Sequence, residues 1–320
     1  MKIRFKMKRL LLLLIVICVI FCGCYPARYK PHAQEKYRKT FDKPVTNVGE
    51  IVYDDAELLW CELDNDELVL LDKSGDELST LNFDAEILQV ASFEDNCIMV
   101  YLASGCVETY EYLDDVFVKT HNVLFDGEVK QISFVGGTSD SDNTFLVLKA
   151  DGTLFAFGRN KNGIISDELD ENTTCDLPVE IYSDVNMICK NLVLLNSGEI
   201  FDFANSERHC GFIEADIDDL KYCQWNLYVK ENGKYYSYTW DYKKNEMING
   251  DDITFGRYSY ISFQEGGVCY TGEVYAESKL KDIPSVKDSL VEGVPEYDHY
   301  YPAYQGLVGY TGNDLVFYGL

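Results

Sequence analysis

The sequence predicts an all-β protein, a seven-bladed β-propeller, and three observations support this prediction. A pattern of an apolar run, a polar turn ending in glycine and alternating apolar residues occurs seven times. The turn glycines recur at a mean spacing of about 40 residues, the length of one four-stranded blade. No stretch of the chain keeps the 3.6-residue apolar period of an amphipathic helix.

Each repeat has the pattern of a β-hairpin. Glycine supplies the positive φ that tight hairpin turns require, and flanking segments such as Phe155-Ala156-Phe157 supply the apolar faces. A single hairpin cannot bury its own faces, so neighbouring repeats must stack. Seven such units fill residues 45–320; a β-sandwich of consecutive hairpins is the alternative, which a seven-fold period disfavours. The predicted turn glycines are Gly75, Gly105, Gly152, Gly198, Gly233, Gly272 and Gly312.

The last repeat is too short to complete a blade. Only residues 313–320 follow the last turn glycine, which is enough for one strand. Val45–Tyr53 precedes the first repeat, is rich in β-branched residues and has no turn glycine of its own. We therefore expect this N-terminal strand to pair with the seventh blade and close the ring, which hides two strand edges.

The first 23 residues have the features of a signal peptide. Residues 1–9 carry five cations and no acid, and Leu10–Cys22 is an unbroken apolar run. This length is typical of a signal-peptide core and is too short to span a bilayer comfortably.

The junction Phe21-Cys22-Gly23-Cys24 resembles the lipobox of bacterial lipoproteins, with Phe21 where leucine is usual. The resemblance implies cleavage before Cys24, lipid attachment to Cys24 with palmitate-type acyl chains, and anchoring at the outer face of the bacterial cell membrane. An ordinary secreted protein or an uncleaved anchor is the alternative. The domain organisation predicted is a signal peptide over residues 1–23, a lipid-anchored basic tether over 24–44 and a propeller over 45–320.

The charge distribution supports a tether and excludes one class of partner. Residues 25–44 hold six cations against two acids, with three prolines and no apolar period, which is typical of an extended linker beside anionic lipid. The whole chain has 28 Lys and Arg against 54 Asp and Glu, a net charge of −26. Nucleic-acid binding rests on cations, so we expect no nucleic-acid partner. The acidity serves solubility or attracts a basic partner; we expect a monomer.

The third repeat resembles one propeller family. Its segment Gly158-Arg159-Asn160-Lys161-Asn162-Gly163 is similar to the Gly-x-Asn-x-x-Gly element of the regulator of chromosome condensation family, and Pro178–Ile181 matches a later element. The resemblance implies a seven-bladed propeller. It covers the third repeat well, the fourth in part and the others only by their hairpin pattern. Nothing matches the nucleotide-exchange surface of that family, whereas its secreted bacterial members, including a β-lactamase inhibitor protein, bind other proteins.

The sequence offers no catalytic or metal-binding motif. The four histidines are scattered without ligand spacing, and no nucleophile elbow or phosphate-binding loop is present. We therefore expect no catalytic residue, no metal and no cofactor. Two acidic segments, Thr138–Phe145 and Asp64–Glu67, could bind calcium weakly, although both lack a full set of spaced ligands. Eight cysteines follow Cys24 without a C-x-x-C pair, which favours buried thiols and leaves disulfide pairing open.

These observations favour a surface lipoprotein whose propeller binds a protein or an envelope polymer without catalysis. The alternative is a glycan-active propeller enzyme that uses paired carboxylates. Loops at the ends of a propeller are where partners bind, and aromatic residues in polar loops provide contact area. Packing between blades is the competing role for these aromatic residues. The candidate binding residues are Trp240, Tyr242, Tyr300 and Tyr301.

Overall fold

The structure is a computed structural model, and the residues it describes are 31–53, 56–92, 96–136, 143–203, 211–213, 217–223, 226–239, 242–264, 267–273 and 285–320. They form seven four-stranded antiparallel sheets that stand as blades in a ring. The seven-bladed β-propeller predicted from the repeats is therefore confirmed. Among the described residues the only helical element is a short 3-10 turn at Lys161–Gly163, and no helix there is long and apolar enough to cross a membrane.

The described residues form 28 strands. Their bounds are β1 Gln34–Thr40, β2 Val45–Tyr53, β3 Ala56–Leu63, β4 Glu67–Leu71, β5 Glu77–Asn82, β6 Ile87–Ser92, β7 Cys97–Leu102, β8 Cys106–Leu113, β9 Val116–Leu124, β10 Val129–Val135, β11 Thr144–Lys149, β12 Leu154–Arg159, β13 Thr174–Tyr182, β14 Val185–Cys189, β15 Leu192–Leu195, β16 Glu199–Asp202, β17 Gly211–Phe212, β18 Ile217–Cys223, β19 Asn226–Glu231, β20 Lys234–Tyr238, β21 Lys244–Met247, β22 Asp251–Phe255, β23 Tyr260–Gln264, β24 Gly267–Glu273, β25 Ser285–Leu290, β26 His299–Tyr301, β27 Gly306–Thr311 and β28 Asp314–Gly319.

Blades one to six each use four consecutive strands, beginning with β2, β6, β10, β14, β18 and β22. The first strand of each blade is the innermost and lines the central channel. Blade seven combines β26, β27 and β28 with β1 as its outermost strand.

The middle strands of the blades are buried on both faces because neighbouring blades pack face to face. All six residues of β7 are buried, and five of six in β11. The apolar clusters lie between blades: Met99 of blade two packs with Phe134 and Phe157 of blade three. This packing explains the continuous apolar runs of the repeats, because a strand covered on both faces has no polar side to alternate with.

An N-terminal strand closes the ring, as predicted, but the strand is a different one. β1 pairs antiparallel with β28, from Gln34 opposite Gly319 to Thr40 opposite Asp314. Val45–Tyr53 instead pairs with β3 and forms the innermost strand of blade one. The sequence did not predict β1 as a strand because β1 is rich in cations. An edge strand can carry such charges on its exposed side. Its Tyr37 points inward and stacks on Phe317, with ring centroids 5.5 Å apart.

The tether predicted over residues 24–44 is consequently wrong from Pro31 onward. The Ala33 backbone N–H donates to the Glu292 carbonyl at 2.8 Å, and the Glu292 N–H donates to the Pro31 carbonyl at 3.0 Å. The propeller therefore includes Pro31–Pro44 in addition to residues 45–320. Cys24 and the whole predicted signal peptide lie outside the described residues.

Five of the seven predicted turn glycines join the second and third strands of a blade at positive φ: Gly105, Gly152, Gly198, Gly233 and Gly312.

The other two glycines occupy different places. Gly75 joins the third and fourth strands of blade one, whose second turn instead uses Asp64 and Asn65 at φ 49° and 58°. Aspartate and asparagine tolerate this left-handed conformation, so no glycine marks that turn. The turn predicted at Gly272 is wrong: this residue lies inside β24, beside a register shift. In its blade, the β23–β24 pairing begins with Gln264 opposite Gly267.

Candidate functional site

The wall of the channel in blades two to four is held together by amide side chains. First strands of neighbouring blades diverge too far for a backbone ladder, so side chains connect them. The Gln89 side chain donates to the Lys130 carbonyl at 2.9 Å and accepts from the Ile132 N–H at 3.1 Å. Gln131 accepts from the Ile188 N–H at 3.0 Å. We call Gln89 and Gln131 the amide wall; their amide groups join three successive blades.

Other seams of the ring use different donors. Trp60 Nε1 of blade one donates to Ser92 Oγ of blade two at 2.8 Å. The Cys223 thiol of blade five contacts the Ser259 carbonyl of blade six at 3.2 Å, and Ser259 Oγ donates to the Pro302 carbonyl of blade seven at 3.1 Å. Each polar group at these seams is matched with a partner in the next blade, so its role is to hold the ring.

A buried carboxylate marks the seam between blades seven and one. Glu50 is 6% exposed, and its carboxylate accepts the Tyr304 N–H at 2.7 Å and the Tyr301 hydroxyl at 3.4 Å. Burial raises the pKa of Glu50 to about 7, although the Tyr304 N–H and the charge of Arg257 act in the opposite direction. Glu50 is therefore only partly ionised at neutral pH.

A cavity of about 450 Å³ opens in the channel at this level, lined by residues of all seven blades. The charged residues that line it are Lys190, Lys221, Arg257 and Glu50, three cations and one carboxylate. In the whole chain, by contrast, the acids outnumber the cations by 54 to 28. The cavity thus has the opposite charge balance to the rest of the molecule.

The three cations lie on blades four, five and six, and we call them the cationic wall. Lys190 follows β14, and its Nζ lies 4.9 Å from the centroid of the Tyr222 ring. Arg257 follows β22, and its guanidinium carbon lies 4.4 Å from the centroid of the Tyr258 ring. Such contacts stabilise a cation in a partly desolvated place without neutralising it.

Arg257 and Lys221 differ in how their charge is compensated. Arg257 Nε and Nη1 are both buried and have no hydrogen-bond acceptor in the described part of the chain. Lys221 Nζ, by contrast, forms an ion pair with Asp219 Oδ2 at 3.2 Å. The Asp219 carboxylate also accepts the Tyr235 hydroxyl at 2.5 Å. The charge of Lys221 is therefore compensated by a carboxylate, whereas two nitrogens of Arg257 lack an acceptor.

The groups that could take part in chemistry at the cavity include three cations, one carboxylate and one thiol. Among the described lining residues Glu50 is the one carboxylate, so the cavity has no acid–base pair of carboxyl groups there. Burial raises the pKa of the Cys189 thiol to about 11, which keeps it protonated at neutral pH. Within the described ranges no group of three or more His, Cys, Asp or Glu could hold a metal ion.

The structure does not bring the four predicted binding residues together. Tyr301 lines the cavity beside Glu50. Tyr300 is buried, and its hydroxyl donates to the Pro295 carbonyl at 2.6 Å; its part in binding a partner stays a prediction. Tyr242 lies in the β20–β21 turn of blade five and packs on Gly211. Trp240 lies outside the described residues.

Sequence reasoning missed the cationic wall. Lys190, Lys221 and Arg257 lie 31 and 36 residues apart in the sequence and share no motif. Each stands on the innermost strand of its blade or directly after it. The available signal was this common position, which becomes visible only once the first strand of every blade is identified.

The motif that carries the family resemblance has a structural role. Asn160 is fully buried; its side-chain amide donates to the carbonyls of Ser166 and Leu169 at 2.8 and 3.0 Å and accepts from the Ile165 N–H at 2.9 Å. It thereby fixes the loop between β12 and β13. Pro178–Ile181 lies within β13, the outermost strand of that blade.

One of the two acidic segments considered for calcium binding forms ion pairs with a lysine. Asp66 and Glu67 form ion pairs with Lys43 Nζ at 2.8 and 3.0 Å. Most of the segment 138–145 lies outside the described residues. The seven described cysteines are free thiols, and Cys210 lies outside the described ranges.

Comparisons with known proteins agree on the fold. No protein-family model and no curated protein matches the sequence. Three solved structures are similar. BamB from Moraxella catarrhalis has a TM-score of 0.46 at 10% identity, over 90% of this chain and 100% of that one. Raptor from Chaetomium thermophilum has a TM-score of 0.57 at 10% identity, over 91% of this chain and 29% of that one. BBS1N, solved in complex with ARL6DN, has a TM-score of 0.52 at 12% identity, over 91% and 98%. At these identities the similarity to Raptor and BBS1N establishes a shared propeller architecture and nothing about activity.

Proposed function

We propose that this protein is a lipoprotein of the outer face of a bacterial cell membrane, and that its propeller is a non-catalytic binding platform for a protein or an envelope polymer. The cavity in the central channel is the observation that carries the proposal. All seven blades contribute to it, and its cations stand out in an acidic chain. Clefts of this kind, built by several elements around a few polar groups, are the usual places for ligands.

The anchoring part of the proposal rests on the sequence of the N-terminus and on where the propeller begins. Pro31 and Ala33 bond to Glu292 beside the outermost strand of blade seven, at the outer rim of the ring. An extended chain from Cys24 to Pro31 spans at most about 25 Å. A lipid on Cys24 would therefore hold the rim of blade seven close to the membrane, where exposed cations of β1 such as Lys36 favour anionic headgroups.

A protein partner is supported in general terms by the architecture. The similar propeller BBS1N was solved in complex with another protein, ARL6DN. The acidic exterior of the present chain favours a partner with basic groups, because complementary charge speeds association and selects partners.

The enzymatic alternative requires two carboxyl groups facing each other across a pocket, about 5 Å or about 6.5–9.5 Å apart. Glu50 is the one carboxylate among the described residues that line the cavity. No observation favours a glycan-active site over a binding site.

Anchoring is tested by Cys24→Ser in the full chain. We expect acyl labelling to disappear and the protein to move from the membrane fraction to the soluble fraction. Cys18→Ser, in the middle of the apolar run, is the matched control and should leave both unchanged. Acyl labelling that persists in Cys24→Ser would overturn the anchoring proposal.

Binding without catalysis is tested by recovering the tagged full-length protein, after mild cross-linking, from the envelope of its own cells. We expect one protein or polymer to be recovered in stoichiometric amount and to be released chemically unchanged. Cleavage of that polymer by the purified protein would refute the non-catalytic proposal.

A further inference from the structure

We propose that the outer edge of blades two and three binds a polypeptide segment in which Lys or Arg stands beside apolar side chains. The surface consists of the exposed residues of β9, of β13 and of the loop 167–173 that leads into β13, and we call it the acidic rim. This inference rests on the proposed function, because it names the surface and the partner chemistry of that binding platform. It concerns the outside of the ring and does not involve the channel.

Exposed apolar side chains are concentrated on the acidic rim. Ten large apolar residues of the described chain are exposed, and six of them belong to β9, β13 or the loop 167–173. Leu177 of β13 has the highest value among the ten, at 77% exposed. β9 and β13 contact each other, so the two strands belong to one side of the ring. Exposed apolar residues that are grouped and surrounded by polar ones mark interaction sites. The six are Val116, Val118, Leu124, Leu169, Leu177 and Val179.

The charge around these apolar residues indicates the chemistry of the partner. Residues 162–189 hold seven Asp and Glu and no Lys or Arg. Within the described ranges Glu168, Glu171 and Glu180 are exposed and form no ion pair. A partner that carries cations next to apolar side chains would match both features of this surface.

Nearby cations do not neutralise the acidic rim. Lys119, the one lysine of β9, forms an ion pair with Glu108 at 2.8 Å. Arg159 and Lys161 precede the loop and offset two of the seven acids. The surface therefore keeps a net negative charge, which speeds association with a basic partner and selects against an acidic one.

A second copy of the chain and a lipid surface match the acidic rim less well. A symmetric dimer interface uses the same patch on both subunits, so two acidic rims would face each other and repel. Anionic lipid headgroups would be repelled for the same reason. A basic and apolar polypeptide segment meets no such opposition.

The edge of β13 favours contact through side chains over the addition of a further strand. β13 is the outermost strand of its blade and has β12 as its neighbour in the sheet. Pro178 lacks a backbone N–H, and register shifts interrupt the pairing of β13 with β12. Prolines and bulges of this kind protect an edge against an added strand. We therefore expect Leu177 and the acids near it, rather than the backbone, to hold the partner.

Fluorescence anisotropy on the full-length protein tests the acidic rim, with a short labelled peptide of alternating Leu and Lys as the probe. We expect wild type to bind this peptide, and to bind a peptide of alternating Ser and Lys about tenfold more weakly, because the apolar contact is then missing. Leu177→Ser should weaken binding of the Leu–Lys peptide by about tenfold for the same reason. Glu168→Gln combined with Glu171→Gln should weaken it severalfold and make it less sensitive to salt.

Met247→Ser and Glu296→Gln are the matched controls. They change an exposed apolar residue on blade five and an exposed acid on blade seven, both away from the acidic rim. Both controls should bind the Leu–Lys peptide as wild type does. Failure of folded wild type to bind the peptide would overturn the proposal. Equal affinities of wild type, Leu177→Ser and the double glutamine variant would also overturn it.

Two further outcomes have distinct meanings. A wild-type dimer that Leu177→Ser dissociates, observed by sedimentation, would assign the acidic rim to a second copy and overturn the proposal. Cross-linking in the cell envelope separates this inference from the proposed function. A partner that wild type and Leu177→Ser recover equally would leave the proposed function standing and refute the acidic rim as its site. If wild type recovers no partner, the proposed function fails, and the peptide titration still decides whether the acidic rim binds basic segments.

Discussion

The two walls of the central channel differ in what their polar groups do. On the amide wall, Gln89 and Gln131 form hydrogen bonds with backbone groups of the next blade. On the cationic wall, two buried nitrogens of Arg257 have no acceptor among the described residues, and Lys190 Nζ lies over the Tyr222 ring. A polar group that is fully matched inside the fold stabilises the fold, whereas a buried charged group without an acceptor costs stability. The comparison therefore separates polar residues that stabilise the channel wall from a charged residue that costs it stability.

Opening the ring should destabilise both walls of the channel together, and this is the largest loss of stability that we expect. Deleting residues 31–40 removes β1, so β28 loses its partner and the contacts of Tyr37 with Phe317 are lost. We expect the free energy of unfolding to fall by several kcal/mol, since strand pairing and apolar burial are both lost. Urea denaturation measures the change. Deleting residues 25–30 should leave the midpoint unchanged, and equal midpoints for both deletions would show that β1 does not close the ring.

The carboxylate between the two walls should make stability depend on pH. Because burial raises the pKa of Glu50 from 4.5 to about 7, the folded state binds more protons than the unfolded state between these values. Stability contributed by this group is present below about pH 4.5 and is lost as pH rises toward 7, by on the order of 3 kcal/mol.

Glu50→Gln removes this titration while keeping an acceptor for the Tyr304 N–H. We expect the variant to gain stability relative to wild type as pH rises from 5 to 8, in urea melts at several pH values. A constant difference between the two proteins across this range would mean that Glu50 is ionised throughout.

On the amide wall, Gln89→Ala should cost stability. The substitution leaves the Ile132 N–H and the Lys130 carbonyl without their partner in the neighbouring blade. We expect a loss of about 1–3 kcal/mol in the free energy of unfolding, measured by urea denaturation. A variant as stable as wild type would show that the amide wall does not hold the blades together.

Arg257→Gln on the cationic wall should have the smallest effect on stability. It removes a buried charge whose Nε and Nη1 donors have no acceptor and loses the contact with Tyr258, and these effects offset each other. We expect a change within about 1 kcal/mol in either direction, from the same urea measurement. A loss as large as that of Gln89→Ala would place Arg257 among the residues that build the channel.

The architecture was predictable from the sequence because hairpin turns and apolar runs repeat in every blade. The closing strand was not, because Lys36, Arg38 and Lys39 give Gln34–Thr40 the composition of a linker, while its pairing with β28 depends on a contact between the two ends of the chain. The turn at Asp64 and Asn65 was not predicted because these two residues adopt the left-handed conformation, so no glycine marks the turn.

The site was harder to predict than the fold. Tyr300 is of a residue type that is common at binding surfaces. Its hydroxyl, however, donates to the Pro295 carbonyl and accepts from the Tyr297 N–H within the fold. Lys190 and Arg257 line the same cavity only because the blades close into a ring. A sequence pattern predicts neither the curvature of the ring nor the burial of a guanidinium. Local periodicity thus determines blades, while the site depends on how seven blades converge.

The most direct test of the difference between the walls is the melting temperature of wild type, Gln89→Ala and Arg257→Gln, measured side by side at constant ionic strength. A polar group that is matched in the next blade stabilises the folded ring, whereas a buried charge without an acceptor does not. We predict that Gln89→Ala melts at a lower temperature than wild type and that Arg257→Gln melts near wild type. Equal losses of melting temperature in the two variants would contradict the account, because Arg257 would then stabilise the ring as much as Gln89 does.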